Sequence, residues 1–453
     1  MAGFKILSYD EYAKLSDEAK VEYVIQKYQH ITDNGAALGE LLDDVKAKQQ
    51  SQDEAWSTGF QSLDDALDGG FMEGELISLG AISSLGKTSL ALQIGTAIAE
   101  AGKDVLIFSL EMSKKELNAK TISRYSHIIA MRDKSISREN RLTHMDILKG
   151  RVGDLVFGEA MDDKSRLFME AYAAAQRIAP HVKIFVGNND VSVDVVRAAV
   201  EYHILSTGGR WETETETGQR RLIGGRRPFV VCDYLQILQP SENAETKEKR
   251  LLTDYDVSTL KTVARDYRIP VLTISAFNRT SYLEPVSMSS FRESSGIEYS
   301  SDIVLAMQYQ GMDYEKHYFT KKSGKRVKVY ESKQRHDNRV RNIFEKAEAE
   351  PKPGEDKRIP LELKMLKRRL SPKKSLRFTF LPAYNYFEDG IKPGDEYKVD
   401  NDLILDWEDE IGDDGDAPEA TAQAQPERVL SMAELKMQKA KEAKLKQMQK
   451  KKK

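Results

Sequence analysis

The stretch that most constrains this chain is Ala81-Ile-Ser-Ser-Leu-Gly-Lys-Thr-Ser89. Apolar Leu76, Ile77 and Leu79 lead into it. Leu90-Ala-Leu-Gln-Ile-Gly-Thr-Ala-Ile-Ala99 follows at helical spacing. The pattern predicts a strand, a tight loop and a helix. The end of the loop, Gly86-Lys87-Thr88, fits a phosphate-binding P-loop. Backbone N–H groups at the start of a helix present partial positive charge to phosphate oxygens. Gly86 has no Cβ, so the backbone can approach closely. Lys87 has the reach to contact β- and γ-phosphates, and the Thr88 hydroxyl suits a Mg²⁺ ion. The expected lining is Ala81, Ser83, Ser84, Leu85, Gly86, Lys87, Thr88 and Ser89. One position departs from the usual motif: alanine stands at 81 where the first glycine belongs, with Gly80 one place early.

Strand-like apolar runs recur after the loop at Asp104–Glu111, Val182–Val186, Pro228–Asp233, Val271–Ser275 and Ile303–Met307. Helical stretches lie between them, at Val191–Ser206 and Leu251–Tyr267 among others. Alternation of this kind over roughly 250 residues predicts an α/β fold with a parallel sheet flanked by helices. Residues 207–227 read as a glycine- and arginine-rich excursion. Residues 311–358 are polar and highly charged, and read as an insertion, extended or helical. Strand pattern resumes at Leu361–Arg369 and Leu376–Leu381, a hairpin around Ser371-Pro372.

Two acids end strands. Asp233 closes an apolar run, the Walker B arrangement, and can join Thr88 in holding Mg²⁺. Glu111 closes another, where a carboxylate can orient or deprotonate an attacking water. The alternative for Glu111 is a surface or capping acid at a strand-to-helix turn.

The net charge of −3 conceals an asymmetry. Residues 394–419 hold twelve Asp or Glu against one Lys, and 429–453 hold nine Lys against two Glu. Net charge therefore excludes no polyanionic partner. The single cysteine, Cys232, rules out an internal disulfide and reads as a small buried thiol. No stretch approaches the ~20 apolar residues of a membrane span. The N-terminus lacks an apolar signal core. The expectation is a cytoplasmic protein without a membrane partner. The expected division is a helical segment over 1–50, an α/β core over 51–310, the insertion over 311–358, a hairpin completing the core over 359–390, and an acidic then Lys-rich tail over 391–453, largely disordered.

Seven stretches stand in a fixed order: Thr58-Gly-Phe with Gly69-Gly-Phe71 and Gly74-Glu-Leu76; Ser83–Thr88; Phe108-Ser-Leu-Glu-Met-Ser113; Asp233-Tyr-Leu-Gln-Ile-Leu238; Asn278-Arg279; Phe291-Arg-Glu-Ser294; and Lys367-Arg-Arg369. On these the chain resembles the C-terminal ATPase domain of the DnaB-like replicative helicases, over roughly 57–310 and 361–388. That family tolerates alanine at the position of Ala81.

The resemblance implies a RecA-like P-loop NTPase core. It implies a homo-oligomeric ring, commonly a hexamer, that uses ATP with Mg²⁺ at subunit interfaces. Lys367 and Arg369 then match the finger that reaches a neighbour's site, with Lys333 and Arg335 as the competing pair at the same spacing. Arg292, Glu293 and Ser295 match positions that grip the phosphates of single-stranded DNA. The implied activity is ATP-dependent DNA unwinding, 5′ to 3′, in DNA replication. Alternatives are a RecA/RadA-like DNA-binding ATPase that does not unwind, and a nucleotide-gated assembly scaffold. Fifty residues before the core are too few for the family's N-terminal domain, so contacts with a primase or loader are in question, and a phage or mobile-element source is suggested. Alanine at 276 replaces the glutamine that in this family senses the γ-phosphate.

Overall fold

The computed structural model describes residues 55–155, 162–187, 191–213, 220–235, 238, 249–291, 294–320, 326–368 and 374–397, with scattered positions between 14 and 46. Most of the N-terminal segment, the tail beyond 397, and Arg292, Glu293 and Arg369 lie outside the described residues.

In chain order the helices and strands are α1 (Gln61–Leu67), β1 (Leu76–Ala81), α2 (Lys87–Glu100), β2 (Val105–Ser109), α3 (Lys114–Arg132), α4 (His144–Leu148), α5 (Asp163–Ile178), β3 (Val182–Val186), α6 (Val193–Ser206), β4 (Arg210–Thr213), β5 (Arg220–Ile223), β6 (Phe229–Asp233), α7 (Lys249–Tyr267), β7 (Val271–Ala276), α8 (Ser294–Ser300), β8 (Ile303–Tyr309), β9 (Lys316–Thr320), β10 (Arg326–Tyr330), α9 (Lys333–Glu348), β11 (Ile359–Arg368), β12 (Ser375–Leu381) and β13 (Tyr386–Asp389). The chain divides into two units, residues 56–200 with 227–453, and residues 1–55 with 201–226. In the smaller unit the excursion is an antiparallel hairpin, β4 on β5, with Trp211 Nε1 donating to Glu201 at 3.2 Å.

The larger unit is built on a sheet in the order β13-β12-β11-β8-β1-β7-β6-β2-β3. The six strands from β8 to β3 run parallel, and β11, β12 and β13 extend one edge antiparallel. Every residue of β1, β2, β6 and β8 is buried, as expected for strands covered by helices on both faces. Helix α2 is covered on nearly every side, burying Leu90, Ile94 and Ile98. Helix α3 starts on a capping box, in which Ser113 Oγ accepts from Glu116 N–H and the Glu116 carboxylate accepts from Ser113 N–H.

The insertion is extended in its first part and helical in its second. It forms the two-stranded ribbon β9–β10 and the helix α9, which buries His336, Val340, Ile343, Phe344 and Ala347. Their i, i+4, i+7, i+8 spacing is the apolar stripe that seats an amphipathic helix.

Strand register fixes what each edge presents. The P-loop follows Ala81, which pairs with Met307 of β8 and Ala276 of β7. It therefore lies at the C-terminal edge of the parallel strands. Strand β11 runs the other way, placing Lys367 opposite Val304 and Arg368 opposite Ile303, at the N-terminal edge.

Candidate nucleotide site

The loop after β1 turns on Ser84 and Gly86, both in the left-handed region, at φ 65° and 87°. A Cβ on Gly86 would lie 2.8 Å from Phe380 and 2.9 Å from Phe387. Those two rings stack on each other at 4.4 Å. Glycine at 86 thus meets two demands at once, an unusual φ and an aromatic floor. Ala81 and Leu85 are buried beneath the loop, whereas Ser83 and Ser84 are exposed. Ser83 lies 3.4 Å from the Tyr282 hydroxyl.

Lys87 opens α2, and its ammonium donates to the Ala81 and Ile82 carbonyls, each at 3.0 Å. It therefore sits inside the curve of the loop. Burial pulls its pKa down, while the Asp233 and Glu111 carboxylates hold it up. Thr88 Oγ1 donates to Asp233 Oδ2 at 2.6 Å. Asp233 ends β6 and is 3% exposed. Burial pushes its carboxyl up to about 6 against the Thr88 hydrogen bond, and the Glu111 charge adds to the rise. A hydroxyl and a carboxylate form an all-oxygen donor set, which suits a hard divalent cation such as Mg²⁺. A cation there would restore the charged carboxylate. Glu111 stands two residues beyond β2, exposed, close enough for its charge to act on both Asp233 and Lys87.

Two further residues join the site that their own sequence context did not announce. Lys120 of α3 is pulled down by burial, with Asp233 the strongest charge holding it up. Its ammonium donates to Asn385 Oδ1 at 2.7 Å, and the Ser89 hydroxyl donates to the same oxygen at 3.1 Å. Asn385 adopts φ 52° in the turn before β13. Lys120 shares a helix face with buried Leu117, Thr121 and Arg124. A lysine on a buried stripe is the signal that marks it. Asn385, 265 residues from Lys120, carries no comparable mark.

The segment after β7 is tied to the same edge. A Cβ on Gly80 would meet the Phe277 and Phe291 rings within 2.5 Å. Asn278 N–H donates to the Ser290 carbonyl, and its side-chain amide to the Phe291 carbonyl at 3.1 Å. The Asn278 amide thus serves the loop that leads to Arg292, Glu293 and Ser295. Ser295 lies in the first turn of α8, and the other two lie outside the described residues.

Lys367 is elsewhere. Its ammonium meets the Glu298 carbonyl, and the Tyr299 carbonyl at 3.4 Å, at the C-terminal end of α8. By register it stands level with Ser78, three residues before the P-loop begins and two strands away. That separation is roughly 10 Å along the strands and roughly 10 Å across them. Lys367 does not belong to the nucleotide site of its own chain. Of the competing pair, Lys333 lies 3.6 Å from Glu284, two residues beyond the Tyr282 that meets Ser83.

A parallel sheet with a glycine-bent loop, a lysine inside it and a threonine–aspartate pair defines a P-loop NTPase of the RecA-like type. The DnaB-like helicase C terminal domain family matches residues 55–180 and 200–389, and the chain belongs to that family. The chain is 28% identical over 266 residues to a probable replicative DNA helicase of Trieres chinensis, covering 57% of this chain and 48% of the relative. It is 24% identical over 399 residues to the replicative DNA helicase DnaB of Helicobacter pylori, covering 84% and 70%. The chain thus spans about half the length of the first of these relatives and more of the second. Among solved structures, a DnaB-like replicative helicase described with its interactions with primase shares the fold. It superposes with a TM-score of 0.53 at 18% identity, over 83% of this chain and 75% of that one. Among the described residues no helix is long and apolar enough to cross a membrane.

Proposed function

We propose that the chain is the motor of an ATP-driven DNA helicase of replication, active as a ring, by family a hexamer, that translocates on single-stranded DNA from 5′ to 3′. The observation that carries this reading is the opposition of the two sheet edges. The P-loop, Thr88 and Asp233 occupy one edge, and Lys367, two residues before Arg369, occupies the other. A chain with its phosphate site and its cationic finger on opposite edges completes the site by association with a second copy.

In this reading Lys87 and the backbone N–H groups of 84–88 bind the ATP phosphates, and Thr88 and Asp233 hold Mg²⁺. A Mg²⁺ ion held there would supply charge neutralisation during phosphoryl transfer. Glu111 orients the attacking water and accepts its proton. Lys120 adds a positive charge near Asp233, behind Glu111 and Lys87 in effect. Lys367 and Arg369 of one copy reach the next copy's phosphate, and Arg292, Glu293 and Ser295 line the path of the strand. A primase or loader is the partner class that a replicative role implies.

Unwinding of forked DNA with ATP tests the reading. Strand separation that requires a 5′ single-stranded arm supports it. ATP hydrolysis with DNA binding and no strand separation favours a non-unwinding ATPase, the reading to which Ala276 gives weight. Hydrolysis with no DNA binding favours an assembly scaffold.

A further inference from the structure

We infer that Asn385 is a positioning residue for phosphate transfer. It fixes the first turn of α2, and with it Thr88, on the turn before β13, and Lys120 locks it there. The inference rests on the ATP-hydrolysing motor proposed above.

The start of α2 needs an outside hold. Gly86 stands at its N-cap and has no side chain with which to bond the first turn. Thr88, the hydroxyl suited to Mg²⁺, is two residues on. Its neighbour Ser89 is 2% exposed, and a hydroxyl at that depth requires a partner. Asn385, equally buried, is that partner. Its Oδ1 accepts from Ser89 Oγ at 3.1 Å. The Lys120 ammonium donates to the same oxygen at 2.7 Å and lies 3.4 Å from Ser89 Oγ. The three groups close a triangle. A cationic donor makes the stronger bond, so Lys120 is the lock. The Asn385 Nδ2 faces His144 Nδ1 at 3.3 Å, so both ends of the amide are held.

A second tie runs parallel to the first. Gln93 lies one turn beyond Ser89 on the same face of α2. Its Oε1 accepts from the Phe387 N–H at 2.8 Å, and its Nε2 donates to the Phe387 carbonyl at 3.0 Å. Phe387 is also one of the two rings beneath Gly86. The P-loop floor, α2 and the turn before β13 are thus one joint. Asn385 is the member that grips the residue beside Thr88. Its φ of 52° is a conformation that glycine and aspartate also tolerate, so its backbone and side chain can be tested apart.

The test uses the full chain and a fluorescent, non-hydrolysable ATP analogue, titrated with and without Mg²⁺. Asn385→Gly keeps the turn and removes the amide. Asn385→Asp keeps an oxygen for Ser89 and Lys120. Lys120→Met removes the lock at similar length. In Asn385→Gly, the tightening of analogue binding by Mg²⁺ should shrink by about tenfold, as for one lost charge-assisted hydrogen bond. Analogue affinity without Mg²⁺ should hold within about twofold, because the loop itself is intact. Turnover of MgATP should fall with the Mg²⁺ effect, and Asn385→Asp should recover most of both. Lys120→Met should match Asn385→Gly, and the double variant should be no worse than either. Wild-type behaviour of Asn385→Gly overturns the proposal, since the turn alone would then suffice. Equal losses in Asn385→Gly and Asn385→Asp overturn it as well, and so do additive losses in the double variant. Failure of the motor reading shows differently, as a wild-type chain that neither binds the analogue nor hydrolyses ATP.

Discussion

Thr88 Oγ1 reaches across from the first turn of α2 to donate a 2.6 Å hydrogen bond to Asp233 at the end of β6. The two candidate Mg²⁺ ligands are therefore already in contact, and Lys87 is beside them. Asp233→Asn keeps the shape and removes the charge. Lys87→Ala removes the cation inside the loop. Each is expected to lower Mg²⁺-dependent phosphate release by at least about 100-fold, the usual scale for losing one preorganised electrostatic group. Release near the wild-type rate in either variant would remove the P-loop assignment.

Arg369→Ala is expected to retain ATP binding and lose turnover, by roughly 10³-fold or more if it acts as other arginine fingers do. Because Lys367 and the P-loop occupy opposite edges of the sheet, the proposed finger predicts a defect curable by a second copy. Mixing Arg369→Ala with Lys87→Ala protein creates some interfaces with both parts intact. Partial return of ATPase activity on mixing is the expected result. Normal hydrolysis by Arg369→Ala alone would move the finger to Lys333 or Arg335.

Ala276 pairs with Ala81 at the mouth of the P-loop and has no polar group to report the state of the γ-phosphate. The Asn278 amide, two residues on, is engaged with the Phe291 carbonyl. Single-stranded DNA is therefore expected to stimulate ATPase only weakly. Ala276→Gln should raise that stimulation by adding a bond worth about 0.5–1.5 kcal/mol. Strong stimulation of the native chain that survives Asn278→Ala would place the sensor on another residue.

His127 gives a pH dependence to stability. It is 2% exposed and stacked on Tyr384 at 4.4 Å, with Arg141, Arg358, Asp356 and Glu388 the charges around it. Burial, reinforced by Arg141, pulls its pKa from the ordinary 6.5 to about 4. Between those values the unfolded chain binds the proton and the folded chain does not, so stability falls as pH falls. The gap corresponds to about 3 kcal/mol at about 1.4 kcal/mol per factor of ten. Urea unfolding of wild type and His127→Phe at pH 7.5 and pH 4.5 checks it. The variant should lose less stability over that interval, by about 2–3 kcal/mol. Parallel losses would assign the acid sensitivity to other groups.

The parallel sheet was legible because its strands are buried on both faces and spell nearly unbroken apolar runs, as in Val105–Ser109 and Phe229–Asp233. The P-loop was legible because its chemistry is local, a few adjacent residues fixing both turn and charge. Asn385 was not, because its role is set by contact with Ser89 and Lys120 across the whole core. The insertion was legible only as extended or helical, because its dense charge blurs the period of either element; the chain there forms first a ribbon and then helix α9. Cys232 was legible as a buried thiol, and burial pushes its pKa up to about 12.

The aromatic floor beneath Gly86 has a consequence for the order in which the molecule comes into being. Phe380 and Phe387 are supplied by β12 and β13, almost three hundred residues after the loop they support. A ribosome making this chain will have released every phosphate-binding residue long before it releases the floor. Burying two such rings is worth about 1.5–3 kcal/mol each, and until they arrive the loop lacks its backing. A nascent chain that stops short of β13 therefore carries the whole loop sequence without the full pair of rings on which Gly86 rests.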